Sequence, residues 1–230
     1  MGGGFNRRGL LKTTLAAGAA LALPGRASAE PAAVGDFNAD FDRAFAPRRV
    51  SAEATGLTPY QRRVMQIAAR ERGRAGGALW RGDIVAVADF AMPSSQPRLH
   101  FADIEAGTLR SFLVAHGRGS DPEHDGWLKL FSNTVGSEAT SRGAYLTGSW
   151  YSGKYGTSIR LQGMDADNSH ALERAIVMHP AWYAAADMLP KYGKLGRSEG
   201  CFAMAPEDFD QALLHMAGGR LLYADRIGDA

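Results

Sequence analysis

Arg174-Ala175-Ile176-Val177-Met178-His179 and Gly196-Arg197-Ser198-Glu199-Gly200-Cys201-Phe202-Ala203-Met204 are the two stretches on which the fold and the chemistry turn. Each contains an apolar run of strand length bounded by glycine or charge, which reads as a short buried strand. The first run ends in a histidine, and the second begins with the chain's one cysteine. If the two strands are neighbours, an imidazole and a thiol share one corner of a sheet. A thiol attacks as thiolate and needs a base or a cation beside it. Histidine suits that task because its pKa lies near neutrality.

Outward from this pair the pattern stays strand-rich. Asp83–Phe90 reads as a strand, and 99–104 with 109–114 reads as a hairpin about Ala106-Gly107. Further strands are expected at Gly143–Thr147, Ser158–Leu161, Cys201–Met204 and Arg220–Ala224. Thr58-Pro59 is a helix start, an N-cap followed by proline at the first helical position, and Gly73 is the expected stop. Pro206 opens a late helix through Phe209, Ala212, Leu213 and Met216, ended by Gly218-Gly219. Short strands separated by glycine-rich turns predict a mainly β fold with a few helices, of α+β type and largely antiparallel. No glycine-rich phosphate loop follows a strand, which excludes the common nucleotide-binding patterns.

The first 29 residues read as an export signal. Arg7, Arg8 and Lys12 form a basic head, Leu15–Leu23 is an uncharged stretch, and Ala27-Ser28-Ala29 offers a small-residue cleavage site. The paired arginines resemble a twin-arginine signal. The stretch is short for a membrane span. The domain plan expected from this is 1–29 signal, 30–80 linker and N-terminal helical region, and 81–230 catalytic domain, with the body in the periplasm or cell envelope. Four of the 26 Lys and Arg, and no acidic residue, lie in 1–29, leaving 22 basic against 24 acidic residues. That balance argues against an electrostatic nucleic-acid binder. A single cysteine in an exported chain has no internal disulfide partner, so its reactivity is the feature to explain.

On the residues alone, Gly200 leaves room for a substrate carbonyl to approach backbone N–H groups as an oxyanion hole. Ser198 and Arg197 are placed to orient the histidine or hold a substrate carboxylate. A small buried core cysteine and a satisfied structural histidine are the alternative. A second alternative is a zinc peptidase built on His116, Asp121, His124 and Asp125, although their spacing matches no zinc signature. A third is a non-catalytic module that binds the cell wall.

The stretch from His116 to Met204 resembles the murein L,D-transpeptidase catalytic family (YkuD-like), in its branch lacking the usual histidine before Gly-Cys. The matching pieces are His116-Gly117-Arg118-Gly119-Ser120, Phe131-Ser132-Asn133, Thr147-Gly148, Tyr151–Gly156, Ser158–Met164, Asn168, Arg174–His179 and Leu195–Cys201. The resemblance implies an L,D-transpeptidase-like β-sandwich or barrel preceded by a helical segment. It implies Cys201 as nucleophile, His179 as base, and Ser198 and Gly200 as neighbours shaping the site. Arg197, Tyr155, His116 and Asn168 are the substrate-binding candidates. The implied reaction is attack on an L-centre carbonyl of a peptidoglycan stem peptide, then transfer of the acyl group from sulfur to an amine of a second stem. The cross-link would be 3,3 or 1,3, and water as acceptor would give an L,D-carboxypeptidase. Such chemistry calls for no metal or organic cofactor. Three positions depart from the family pattern: Glu199 stands where histidine is common, Ala203 where arginine is frequent, and Pro180 where glycine is usual.

Overall fold

A computed structural model describes residues 56–228. The expected signal over 1–29 and the apolar piece around Phe37, Phe41 and Phe45 lie outside the described residues. The chain enters through α1 (Pro59–Ala75), capped as expected: Thr58 Oγ1 accepts from the Gln61 amide at 3.2 Å, and Gln61 Oε1 accepts from the Thr58 amide at 2.9 Å. The helix runs through Gly73 and stops at Gly76, whose φ of +51° suits glycine and whose N–H reaches the Arg72 carbonyl. Among the described residues, no helix is long and apolar enough to cross a membrane.

Eight strands form one sheet: β1 Ile84–Asp89, β2 Leu99–Asp103, β3 Thr108–Phe112, β4 Gly143–Gly153, β5 Gly156–Gly163, β6 Val177–Pro180, β7 Phe202–Met204 and β8 Leu221–Asp225. Their order is β3-β2-β1-β8-β4-β5-β6-β7. Most neighbours are antiparallel, but β1 with β8 and β6 with β7 are parallel. The chain leaving β3 then lies along the outer edge of β7, where the Ala115 amide donates to the Ala203 carbonyl at 2.9 Å. The two ends of the strand order therefore meet, and the sheet curls into a near-barrel that leaves little free edge.

The barrel interior holds Phe90, Phe101, Tyr145, Ile159, Leu161, Ile176, Met178, Phe202, Met204 and Leu222. The helix α3 (Pro206–Met216) adds Phe209, Ala212 and Met216 to the same core. On the outside, α1 buries Val64, Ile67 and Ala68 against Val85, Val87, Ala102, Leu221 and Tyr223. Each fully buried Val or Ile there contributes on the order of 1.5–3 kcal/mol. A boundary drawn between residues 80 and 81 thus divides α1 from the sheet that covers its apolar face.

The β4–β5 hairpin is longer than its sequence suggests. The strand expected over Gly143–Thr147 continues past Gly148-Ser149 to Gly153, with a register shift between Thr147 and Trp150. Such a bulge re-aims the ribbon without ending it. Its tip, Gly153-Lys154-Tyr155-Gly156, carries Tyr155 back to the sheet's other end.

Candidate active site

The parallel pairing of β6 and β7 sets the geometry of the site. Met178 faces Phe202 and His179 faces Ala203 across the pair. Side chains alternate along a strand, so Met178 and Phe202 enter the main core while His179 and Ala203 point to the opposite face. Cys201 immediately precedes β7, and the register continued by one residue sets it opposite Val177, two positions before His179 on the neighbouring strand. The face is floored by a small apolar cluster of Leu113, Ala115, Ala181, Ala184, Leu195 and Ala203. A short helix, α2 (Met188–Tyr192), lies in the connection between the two strands.

His179 is 1% exposed. Its Nδ1 lies 3.0 Å from the Pro180 carbonyl, an acceptor that proline retains despite lacking an N–H. Nδ1–H donates there, which leaves Nε2 as the basic nitrogen. Among the described residues, nothing hydrogen-bonds that Nε2. Burial pulls the imidazole pKa down, with the Pro180 contact opposing, so the ring is neutral at pH 7. The Tyr155 ring stacks on it, with centroids 4.5 Å apart and planes 22° from parallel.

Cys201 is 5% exposed. Its Sγ–H donates to the Ala175 carbonyl at 3.6 Å, and Ala175 itself adopts a left-handed φ of +52°. Burial pushes the thiol up to about 11; the Val177 backbone hydrogen bond and the Arg174 charge oppose the rise, and Glu199 adds to it. At pH 7 the Cys201 side chain is therefore a thiol.

The turn before the cysteine is tightly built. Ser198 Oγ donates to the Cys201 carbonyl at 2.7 Å and accepts from the Gly200 amide at 3.2 Å. Ser198 therefore fixes the backbone of Cys201, and the Gly200 amide is committed to it, so that amide is not free to donate to an oxyanion. Gly200 has φ +109°, and a Cβ there would sit 2.8 Å from both the Ala139 carbonyl and Ile176. A Cβ on Gly117 would fall 2.7 Å from Gly200. The two glycines meet because His116–Arg118 runs beside Ser198: Ser198 N donates to His116 O at 2.9 Å, and Arg118 N to Ser198 O at 2.8 Å.

Two expected substrate ligands are interior instead. His116 is 1% exposed; its Nδ1 accepts from Arg98 Nη2 at 2.7 Å and its Nε2 lies 3.3 Å from Asp121 Oδ2. Burial and the Arg98 charge push its pKa down to about 3. Asn168 is fully buried; its Nδ2 donates to Ala144 O at 2.7 Å and its Oδ1 accepts from Asp165 N at 2.9 Å. Both expectations are corrected on the same ground, since their polar atoms are spent inside the fold. Arg197 is half-buried and donates to the Asp121 and Pro122 carbonyls, which brace the loop before Ser198. Tyr155 alone of the four stands over the Cys201–His179 corner.

His124 hydrogen-bonds the Leu195 carbonyl at 3.0 Å, and Asp121 also accepts from the Asp125 and Gly126 amides. The four residues weighed as zinc ligands thus serve a loop, and no three such side chains cluster among the described residues. Sequence reasoning missed Arg174, read only as strand. Its guanidinium donates to Ser132 O at 2.7 Å, to Ser141 Oγ at 2.6 Å and to Ala139 O, close enough to act on the Cys201 charge. An arginine opening an otherwise apolar run was the available signal.

Residues 61–224 match the family model described as L,D-transpeptidase catalytic domain. No curated protein matches the chain. Among solved structures, the chain is similar to L,D-transpeptidase 3 from Mycobacterium tuberculosis in complex with a faropenem-derived adduct, at 17% identity and TM-score 0.39, covering 62% of this chain and 60% of that one. It is similar to an L,D-transpeptidase from Mycobacterium smegmatis at 12% identity and TM-score 0.38, covering 62% and 58%. It is also similar to the helical cell shape determining protein Pgp2 from Campylobacter jejuni at 12% identity and TM-score 0.40, covering 72% and 56%. The alignment thus spans less than two-thirds of these solved chains.

Proposed function

We propose, from the premise that this chain belongs to the L,D-transpeptidase catalytic domain family, that it is a peptidoglycan L,D-transpeptidase of the cell envelope working through a Cys201 thioester. The observation that carries this reading is the shared face of β6 and β7. Its imidazole is oriented by Pro180, with Nε2 unbonded among the described residues, and the strand register leads Cys201 toward it. His179 takes the thiol proton as sulfur attacks the carbonyl of an L-centre in a stem peptide. The tetrahedral centre collapses, and His179 returns the proton to the departing amine of the D-residue. An amine of a second stem then attacks the thioester, and sulfur leaves with a proton.

The protonated resting thiol shapes this mechanism. With the thiol pushed up to about 11, attack and proton transfer go together. A substrate must also move the Tyr155 ring off His179, so the hairpin tip covers the site until a stem arrives. Ser198 and Arg174 act on Cys201 through its backbone and its electrostatics, as positioning residues.

The test is incubation of the chain with defined tetrapeptide muropeptides, read by mass spectrometry, beside Cys201→Ala and His179→Ala. The expected result is a donor adduct on Cys201 with loss of the terminal D-residue, followed by a cross-linked dimer; neither variant makes the dimer. Mapping the new bond tells a 3,3 from a 1,3 link. Trimmed stems without dimers would make the enzyme a carboxypeptidase, and turnover surviving Cys201→Ala would overturn the thioester.

A further inference from the structure

We propose that Glu199 is the acceptor-binding residue, a carboxylate at the mouth of the site that receives the ammonium form of the incoming amine and favours transfer over hydrolysis. The inference rests on the proposed function and deepens it.

Three observations support it. First, Glu199 stands at the rim on the side of the base: Tyr155, whose ring stacks on His179, donates its hydroxyl to Glu199 Oε2 at 3.2 Å. The carboxylate is 53% exposed, within reach of an arriving solute. Second, its charge is poorly matched inside the protein. Arg118 Nη2 is 3.8 Å away and already gripped through Nε and Nη2 by both oxygens of Glu138. A second cation, Lys154, lies over the Tyr155 ring at 5.1 Å and forms no ion pair with Glu199 among the described residues. Third, that charge works against the nucleophile, since Glu199 raises the Cys201 pKa. An anion beside a thiol that must lose its proton is a liability for the first half-reaction. It becomes an asset in the second, where the reaction brings a cation to the site.

The step balances as follows. The docked ammonium releases one proton to water. The free amine nitrogen attacks the thioester carbon, the N–C bond forms and the C–S bond breaks. The second N–H proton passes through His179 to the departing sulfur, which restores the thiol.

Glu199→Gln removes the charge and keeps an oxygen for the Tyr155 hydroxyl, so it separates electrostatics from the stacking of Tyr155. The experiment partitions the Cys201 acyl-enzyme between water, a stem carrying a side-chain ammonium, and hydroxylamine, which is neutral at pH 7. Wild type is expected to show an acceptor KM that rises with salt. Glu199→Gln is expected to raise that KM roughly fivefold at low salt, the scale of one exposed charge pair, to lose the salt dependence, and to treat hydroxylamine as wild type does. An equal change toward both nucleophiles, or a salt dependence that survives Glu199→Gln, would overturn the proposal. Absence of any acyl-enzyme on Cys201 in wild type would instead overturn the reaction on which it rests.

Discussion

Two histidines, His116 and His179, are each 1% exposed, and their ring nitrogens are engaged in opposite ways. His116 sits between Arg98 and Asp121 with both ring nitrogens engaged. His179 has Nδ1 fixed by Pro180, an aromatic ring stacked on its face, and Nε2 without a hydrogen bond among the described residues. Burial lowers the pKa of both and so does not distinguish them. The count of committed nitrogens does. A ring spent at both ends can only brace, whereas a ring tied at one end can exchange a proton.

The sharpest way to break the comparison is to truncate each ring. His179→Ala should lower kcat by about 10²–10⁴, the usual span for a general base, with little change in melting temperature. If it kept wild-type turnover, the distinction would fail. Arg98→Met attacks the other partner. Arg98 is fully buried and donates to Val114 O, Met92 O and His116. Losing it should cost roughly 3–5 kcal/mol of stability, because Asp121 and His116 are left inside without it. Denaturant unfolding reads this directly, and a loss below 1 kcal/mol would mean the network is slack.

Acid should sharpen the contrast. His116 has a folded pKa of about 3 and titrates near 6.5 when unfolded. Between those values the unfolded state binds the extra proton, so stability is full above pH 6.5 and falls as pH drops toward 3. His116→Gln should flatten part of that fall, and an unchanged slope would deny His116 its place in the effect. Turnover should fall on the acid side of 6.5 as His179 gains its proton. The smallest expected effect is at Ser198. Ser198→Ala removes the two bonds that bind the cysteine's turn and should lower turnover about five- to tenfold, near 1 kcal/mol for a hydrogen bond. Its readout is kcat at saturating donor. A change confined to KM would argue that Ser198 touches substrate instead.

What was legible in the sequence follows from what is local. The Thr58 cap, the Pro206 helix start and the apolar runs around His179 and Cys201 are set by neighbours within a few residues, and all appear. The parallel pairing of β6 with β7, and the closure of the sheet by Ala115, depend on partners far along the chain. No periodicity reports them. The register shift after Thr147 interrupts the strand pattern, so the expected strand stops there while the pairing with β5 runs on to Gly153. His116 and Asn168 were misread for a related reason. A sequence shows which groups can donate and accept, but Arg98 and Ala144, which use those groups up, are remote.

The strand β8 has one further consequence. It comes after the nucleophile in sequence, yet in the sheet it lies between β1 and β4, bonded to both. A nascent polypeptide that has produced everything through Met204 already contains each reactive group but has a gap in the middle of its scaffold. The sheet that carries His179 and leads into Cys201 cannot zip shut until Leu221–Asp225 is delivered, which makes assembly a late, long-range event. Catalytic competence should therefore emerge all at once, after synthesis has passed the final strand.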